Sequence, residues 1–396
     1  MAAYFRSAVV AMGSLACTSD PTVDVCVPDP GIVCRVAGTG AAGANNSAEI
    51  AIESPLYSPM DVTVWRDAED FFIADWNNHK VRHVSGGMIQ TIVGTDFLGD
   101  GDPDFKEREP PGAPGTEVAL NHPTSAEWNP VTQRLLLPSW HNHRVREWDP
   151  ETGFSLVVAA DTDINDGNGA NSGFAGDGGP AAAALMAFPN SIAVDPEDGS
   201  FWLLPQRNHR IRWIASDFSL IETIAGGDSV GYDGDGGDPL QASFFFWNED
   251  DLQPEPSGAV EFDPSRRVLY IADTSNHVIR TLDIEKNEIN TLPGTGVQTL
   301  PNGVCDPAAL CYPRDVEILN DMLYIADSNN HVIRRYDLQT GAMDVVVGTF
   351  ESGNQGDGTA ALSTPLNQPH GIDLAPDGSL LIADTYNHRI LRVTSP

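Results

Sequence analysis

One phrase recurs six times along the chain, and this repetition limits the fold more than any other feature. The first copy, IADWNNHKVR, ends at Arg82, and the last copy, IADTYNHRILR, ends at Arg392. Every copy contains an Asn-His pair, and successive histidines are 54 to 68 residues apart. Such regular repetition is typical of arrays in which each copy forms the same supersecondary unit, and the excess over about 40–45 residues for a compact repeat must lie in loops. The six histidines are His79, His143, His209, His277, His331 and His388.

The last copy shows how a unit is built. Short apolar segments alternate with turns rich in Asp, Asn, Gly and Pro: GIDLA from Gly371, SLLIAD from Ser379 and HRILRV from His388. A fourth apolar segment, such as DVVVG before Thr349, follows each of the first five copies. The pattern predicts four short antiparallel strands per unit. Four-stranded units repeated radially are propeller blades, so the sequence predicts an all-β, six-bladed β-propeller.

The two ends of the chain predict how the ring closes. The last unit stops after its third strand at Val393, whereas an isolated fourth-strand sequence, CRVAGTG, begins at Cys34. We expect the N-terminal strand to complete the C-terminal blade, which removes a free sheet edge. The predicted organisation is a signal peptide over 1–16, a tether over 17–30 and one propeller over 31–396.

The repeated phrase resembles the NHL repeat, and its IADTYNHRILR version with GDGGPA linkers is similar to the bacterial extracellular branch of that family. The resemblance covers about residues 31–396 and implies a propeller that acts mostly as a binding disc. Copies two and three lack the Asp of the other copies and have Ser139 and Gln206 near that position, so we expect these blades to pack differently. The third signature position is not Leu but Lys80, Arg144, Arg210, Val278, Val332 or Arg389.

The N-terminus carries an export signal. Arg6 precedes a short apolar stretch, and the sequence from Ser14 to Cys17 resembles a bacterial lipobox, in which the cysteine becomes lipidated. The lipobox family prefers Leu where this chain has Ser14. An ordinary cleaved signal peptide or a mis-assigned start codon is the alternative. The prediction is an exported protein of the cell envelope, anchored through Cys17, or a secreted one.

The cysteine count agrees with this prediction. Five cysteines are an odd number, and assigning Cys17 to a lipid leaves four: Cys26, Cys34, Cys305 and Cys311. Export permits disulfides. The short separations favour Cys26–Cys34 and Cys305–Cys311, although four cysteines allow three connectivities.

The charge excludes several classes of partner. Asp and Glu number 56 against 22 Lys and Arg, a formal net charge of −34, so a nucleic-acid binder or a protein held on anionic lipid by its own charge is excluded. Membrane contact is expected only through the lipid anchor. A monomer that offers one propeller face to a protein or a glycan is the predicted arrangement.

The blades differ where their first strands begin, at the expected mouth of the central channel. The residues that follow the leading Pro there supply the candidate ligand-binding side chains Asp61, Asn190, Arg314, Asp315 and His370. A carboxylate, an amide, a guanidinium and an imidazole could orient a polar ligand. The alternative is that these side chains only keep the mouth of the channel hydrated and bind no ligand. The six repeated histidines are instead interpreted as structural.

An enzyme is the alternative to a non-catalytic scaffold. Peptidyl-hydroxyglycine lyase domains have similar repeats, and the resemblance implies zinc-binding histidines at the Pro-His slot, which only His370 matches. A metal-assisted lyase or hydrolase would use His370 and Arg314, with Asp61 or Asp315 as acid or base. A catalytic zinc site needs about three protein ligands. The sequence therefore favours the scaffold over the enzyme.

Loops rich in Asp and Gly are the remaining candidate sites. Calcium prefers several oxygen ligands on a sharply turning loop, and it is the one cofactor that this pattern suggests. The alternative is turn chemistry, in which Asp bonds the backbone and Gly adopts positive φ. The candidate ligands are Asp100, Asp102, Asp104, Asp161, Asp163 and Asn165.

Overall fold

The protein is represented by a computed structural model. The signal peptide, Cys17, Asp163 and Asn165 lie outside the described residues. The described residues are 26, 29–44, 49–161, 172–246, 255–292 and 305–396.

Six antiparallel sheets form the blades of a β-propeller, which confirms the predicted all-β fold. In blades 1 to 5 the strands run in chain order from the central channel to the rim. The strands of blades 1 to 3 are Pro59–Asp67, Asp70–Asp75, Lys80–Ser85 and Met88–Val93; Glu127–Asn129, Arg134–Ser139, Arg144–Trp148 and Phe154–Ala159; and Pro189–Val194, Phe201–Pro205, Arg210–Ile214 and Ile221–Gly226. The strands of blades 4 and 5 are Ala259–Asp263, Val268–Asp273, Val278–Asp283 and Glu288–Thr291; and Pro313–Leu319, Met322–Asp327, Val332–Asp337 and Met343–Gly348.

Blade 6 joins the two ends of the chain, as predicted. The N-terminal strand pairs antiparallel with the last strand, with Cys34 opposite Arg392 and Val33 opposite Val393. The ring is therefore closed by backbone hydrogen bonds between residues far apart in sequence. From the channel outwards, the strands of blade 6 are Ile372–Leu374, Ser379–Asp384, Arg389–Thr394 and Ile32–Ala37.

The long linkers between blades cover the outer sheet edges. Short strands at Glu49–Ile50, Ala113–Pro114 and Thr359–Ala360 pair with the fourth strands of blades 1, 2 and 6. Single bridges from Gly179 to Ile221 and from Gly237 to Ile289 do the same in blades 3 and 4. The linkers thus pair backbone groups that would otherwise form exposed edges.

The strand order defines two faces of the disc. We call the face at which the first strands begin the upper face. Second strands end at this face, so the Asn-His turns that follow them also lie there. The turns between first and second strands and between third and fourth strands lie at the lower face. In every blade except blade 2 the Asn ends a single 3-10 turn, and in all six blades the following His adopts a left-handed conformation with φ between 51° and 60°. No helix among the described residues has the length and apolar character needed to cross a membrane. The 3-10 helices are Ala51–Glu53, Trp76–Asn78, Lys106–Arg108, Gly115–Glu117, Ala181–Ala183, Gln206–Asn208, Pro239–Gln241, Thr274–Asn276, Ser328–Asn330, Ala361–Ser363 and Thr385–Asn387.

The core lies between neighbouring blades. Every residue of Ser379–Asp384 is buried, because Leu380 and Ile382 pack towards blade 5 and Leu381 and Ala383 towards blade 1. This explains why second strands are apolar on both faces. The predicted disulfides are confirmed: Cα atoms are 5.6 Å apart in both Cys26–Cys34 and Cys305–Cys311.

Candidate functional site

The five candidate side chains chosen from the sequence meet at one place. A leading proline starts the first strand in blades 1, 3 and 5 and precedes it by three or four residues in blades 2, 4 and 6, and the residues that follow it lie at the channel mouth. The free space at the mouth is only about 60 Å³, enough for a few water molecules. The mouth is lined by Asp61, Asn190, Arg314, Asp315 and His370 among others.

The two aspartates tie neighbouring blades together. The Asp61 Oδ2 atom accepts a hydrogen bond from the backbone N–H of Ala126 in blade 2, at 3.1 Å. The Asp315 Oδ2 atom accepts one from the backbone N–H of Ile372 in blade 6, at 2.7 Å. Inner strands have no further strand to pair with on the channel side, so these carboxylates satisfy backbone donors that would otherwise be unpaired.

Four further carboxylates line the channel, and the sequence analysis missed them. They belong to Glu127, Glu261, Glu317 and Asp373, each on a first strand. Side chains two residues apart on a strand point to the same side. The signal in the sequence was therefore an acidic residue two positions after the channel-facing residue, as Glu317 is after Asp315.

Burial suppresses ionisation of these groups. Burial raises the pKa of Asp61 to about 8, with the charge of Asp373 adding to the effect. Burial and the Asp373 charge also raise the pKa of Glu261 to about 8, and burial raises that of Asp373 to about 7. Desolvation and neighbouring carboxylates raise the pKa values of Glu127 and Glu317 well above the ordinary range. The channel therefore holds protons at neutral pH and is less negative than its formal charge.

A polar bridge crosses the mouth. Arg314 donates to Glu255 at 2.6 Å and to the carbonyl of Pro256. The Tyr386 hydroxyl donates to the other oxygen of the Glu255 carboxylate. Asn190 donates to the carbonyl of Gly258 at 2.6 Å. Glu255 lies just before blade 4, Arg314 on blade 5 and Tyr386 on blade 6, so the bridge connects three blades.

His370 lies beneath this bridge. Its side chain is buried, and its Nε2 atom has no hydrogen-bond partner among the described residues. Burial, followed by the positive charge of Arg314, lowers the pKa of His370 well below its ordinary value. The imidazole is therefore neutral at physiological pH.

The six repeated histidines hold successive blades together. Each Nδ1 atom accepts a hydrogen bond from a backbone N–H that leads into the next blade, at distances of 3.0 to 3.4 Å. The last of these contacts in the ring joins His388 to the N–H of Ser58, across the two ends of the chain. An accepting Nδ1 atom must be unprotonated, so these contacts need neutral imidazoles.

The described aspartates of the Asp-rich loops pair with side chains and backbone N–H groups of this same chain. Asp100 lies 2.9 Å from Arg144, and Asp161 lies 3.3 Å from Arg108. The Asp102 Oδ2 atom accepts the backbone N–H groups of Asp104 and Lys106, and Asp104 also pairs with the Lys106 side chain at 2.9 Å. Among the described residues, no group of three or more His, Cys, Asp or Glu side chains has a geometry that could hold a metal ion.

The fold and its mouth define a closed, six-bladed propeller with an acidic channel. The family model for the NHL repeat matches residues 366–392, which include the last Asn-His turn. These residues thus match the NHL repeat that the repeated phrase predicted, and they lie in blade 6 of a six-bladed β-propeller.

Two relatives are similar to this chain at low sequence identity. The chain is 25% identical over 312 residues to the protein SUPPRESSOR OF QUENCHING 1 of Arabidopsis thaliana, covering 76% of this chain and 27% of that protein. It is 25% identical over 352 residues to NHL repeat-containing protein 2 of Homo sapiens, covering 85% of this chain and 46% of the relative. The chain thus spans less than half the length of each.

Solved structures show the same architecture. A protein of unknown function from Bacteroides thetaiotaomicron has a TM-score of 0.64 at 12% identity, with 91% of this chain and 75% of that chain covered. An auxiliary nutrient binding protein from Bacteroides ovatus has a TM-score of 0.58 at 13% identity, with 91% and 76% covered. At these identities the likeness shows the fold alone.

Proposed function

We propose that the protein is an exported, non-catalytic scaffold that binds a protein or glycan partner on its upper face. The observation that carries this proposal is the closed mouth. The bridge of Glu255, Arg314 and Tyr386 engages the charged groups that a ligand would otherwise meet. A free space of about 60 Å³ is far below that of a typical small-molecule site.

Apolar side chains at the upper rim supply the partner surface. Phe97 is 78% exposed and Leu98 57% exposed, and both follow the end of the fourth strand of blade 1. Tyr57 and Phe350 are exposed on other upper-face linkers. Adjacent large apolar side chains that remain exposed are typical of interaction surfaces. Similar propellers described as nutrient binding proteins agree with a binding role.

Rim and mouth variants test where the partner binds. Purified glycans and candidate envelope proteins would be screened on the immobilised protein, and the binders titrated against variants. We expect Phe97→Ser with Leu98→Ser to weaken binding at least about tenfold, as loss of a buried apolar anchor does. Met88→Ser, an equally simple change of an exposed side chain at the lower face, should leave binding unchanged.

The opposite result would move the site to the channel. If Arg314→Ala or His370→Ala abolished binding while the rim variant retained it, the mouth would be the binding site. Turnover of any bound glycan or peptide that disappears in His370→Ala would contradict a non-catalytic role.

Export and anchoring form the second part of the proposal. Two disulfides support residence in an oxidising compartment. We propose that Cys17 carries the lipid. Fractionation of cells that express the wild type or Cys17→Ser tests this, because the wild type should stay with membranes and the variant should not. Mass spectrometry of the mature N-terminus should then find acylated Cys17, and an unmodified cleavage site elsewhere would contradict the anchor.

A further inference from the structure

We propose that a cleft between blades 3 and 4, near the lower face, binds a small organic cation. The cleft has a volume of about 390 Å³ and is separate from the channel mouth. This volume lies within the range of small-molecule sites. One wall is aromatic, the opposite wall is aliphatic, and acidic side chains lie along the opening.

The aromatic wall is a row across blade 3. Trp202 stands opposite Trp213, and Trp213 opposite Glu222, in the strand registers. Residues directly opposite each other in a sheet project from the same face, so the two indoles and the carboxylate form one continuous surface. Trp202 is buried against Phe262, at a ring distance of 4.3 Å, whereas Trp213 is only partly buried. Trp213 therefore contributes its partly exposed ring to the cleft and lies beside the buried Trp202.

Blade 4 supplies the aliphatic wall of the cleft. Leu282, five residues after the blade 4 histidine, faces the aromatic row together with Ile284. At the equivalent position of blade 2 the residue is Trp148, whose ring lies 6.0 Å from Phe72 and fills the gap between blades 1 and 2. Blade 4 therefore has a leucine where blade 2 has an indole, and blades 1, 3 and 6 have Val84, Ile214 and Val393 there.

The charges in the cleft favour a cation. Arg267 pairs with the buried carboxylate of Asp195 at 2.6 Å, so these two charges compensate each other across the cleft. Asp198 and Glu222 also line the cleft, and neither pairs with a cation among the described residues. An ammonium group gains energy from an indole face and from nearby carboxylates. The acidic chain as a whole also attracts cations.

The ligand class follows from these contacts. A quaternary or primary ammonium on a short apolar body would place its charge between Trp213 and Glu222 and its body against Leu282. A neutral sugar would leave both carboxylates uncompensated, and an anion would be repelled. Choline is a suitable probe, because its neutral carbon analogue, 3,3-dimethyl-1-butanol, has the same shape and no charge.

Calorimetric titration of the full chain with both probes tests the proposal. We expect saturable choline binding at millimolar concentration or below, and binding of the neutral analogue at least about tenfold weaker, since each tenfold is about 1.4 kcal/mol. Trp213→Leu and Glu222→Gln should each weaken choline binding at least about fivefold. Asp344→Asn is the matched control, because Asp344 has the register position of Glu222 in blade 5.

Three results would overturn the proposal. They are no saturation with choline, equal affinity for choline and its neutral analogue, or unchanged affinity in Glu222→Gln. Glu222 is exposed, so this variant should fold even if Trp213→Leu does not, and circular dichroism would verify the fold of each. None of these results depends on the rim surface, so the test is independent of the proposed scaffold function.

Discussion

Blades 1, 4, 5 and 6 neutralise a buried arginine in one way, and blades 2 and 3 do so in another. In the first group an aspartate ends the second strand; we name Asp75, Asp273, Asp327 and Asp384 the turn aspartates. Asp384 accepts hydrogen bonds from the Asn367 backbone N–H, the Asn387 amide and the Arg389 guanidinium, each at 2.7 Å. The turn aspartate thus connects a linker, the Asn-His turn and the third strand.

Blades 2 and 3 lack this carboxylate, and other groups take over its contacts. In blade 2 the Asn142 side-chain oxygen accepts the linker N–H of Asn121 at 2.9 Å, and Ser139 accepts from Arg146 at 2.8 Å. In blade 3 the Asn208 side-chain oxygen accepts the linker N–H of Ala187 at 2.9 Å. The asparagine of the Asn-His pair therefore replaces the aspartate as the acceptor for the linker.

In blades 2 and 3 the compensating negative charge comes, among the described residues, from the linker alone, whereas Arg280 of blade 4 has both Asp235 of its linker at 2.9 Å and the turn aspartate Asp273 at 3.6 Å. Asp100 lies 2.9 Å from Arg144 and 3.6 Å from Arg146 in blade 2. Asp177 lies 2.5 Å from Arg212 in blade 3. We name Asp100 and Asp177 the linker aspartates. The comparison shows that Asp-Gly linkers attach themselves to the outer strands by pairing with buried arginines, so their aspartates have a structural use apart from any metal.

The largest effect is expected for removal of a turn aspartate. Asp384→Ala leaves the buried Arg389 guanidinium without its carboxylate and should lower the free energy of unfolding by about 3 to 5 kcal/mol. Urea unfolding followed by circular dichroism measures it. Asp344→Ala, which changes an exposed side chain, should change stability by less than about 0.5 kcal/mol. A loss below about 1 kcal/mol for Asp384→Ala would show that the turn aspartate is not a major contributor to stability.

A smaller loss is expected for a linker aspartate. Asp177→Ala should cost about 2 kcal/mol, as loss of charged hydrogen bonds does. Both Arg212 and Arg389 keep backbone carbonyls as acceptors, but the Asp177 side chain is 33% exposed whereas that of Asp384 is 0% exposed, so water screens part of the Arg212 pair. The same urea measurement checks this value. A loss equal to that of Asp384→Ala would show that the two arrangements are energetically equivalent.

The features that could be predicted from the sequence are those that follow from the repeated phrase. The Asn-His phrase set the number of blades, the orphan strand at Cys34 predicted the closure, and the absence of Asp at Ser139 predicted that blade 2 differs. The bridge over the mouth was not predictable, because Glu255 contacts Tyr386 across 131 residues without any local signal. The compensation by linker aspartates was missed for the same reason, since it depends on how linkers lie along the rim.

The pH dependence of the histidine contacts should also differ between blades. Burial, then the charges of His141, Arg207 and Arg144, lowers the pKa of His143 in blade 2 to about 4. Burial alone lowers that of His388 in blade 6. A lowered pKa means that the unfolded chain binds the proton more readily, so this stability is complete above about pH 6.5 and is lost as the pH falls towards 4.

A His143→Gln variant isolates this contribution. At pH 7 it should be less stable than the wild type, and the difference should shrink by about 1 to 2 kcal/mol between pH 7 and pH 4.5, because only the wild type loses this contribution. His388→Gln is the matched control, and its difference should shrink less. Equal changes for the two variants would contradict the role of the charged groups near His143, which are His141, Arg207 and Arg144.

The smallest effect is expected from restoring the missing carboxylate. Ser139→Asp places an acid beside the buried Arg146, which already has Asp100 within 3.6 Å. We therefore expect a change in stability below about 1 kcal/mol in the wild-type background. In an Asp100→Ala background the new carboxylate would be the nearest counter-charge, and it should recover more than half of the stability lost. A double-mutant cycle over these two positions measures the coupling directly. Simple additivity would mean that strand and linker carboxylates do not serve the same arginine, and the contrast between the two groups of blades would need another cause.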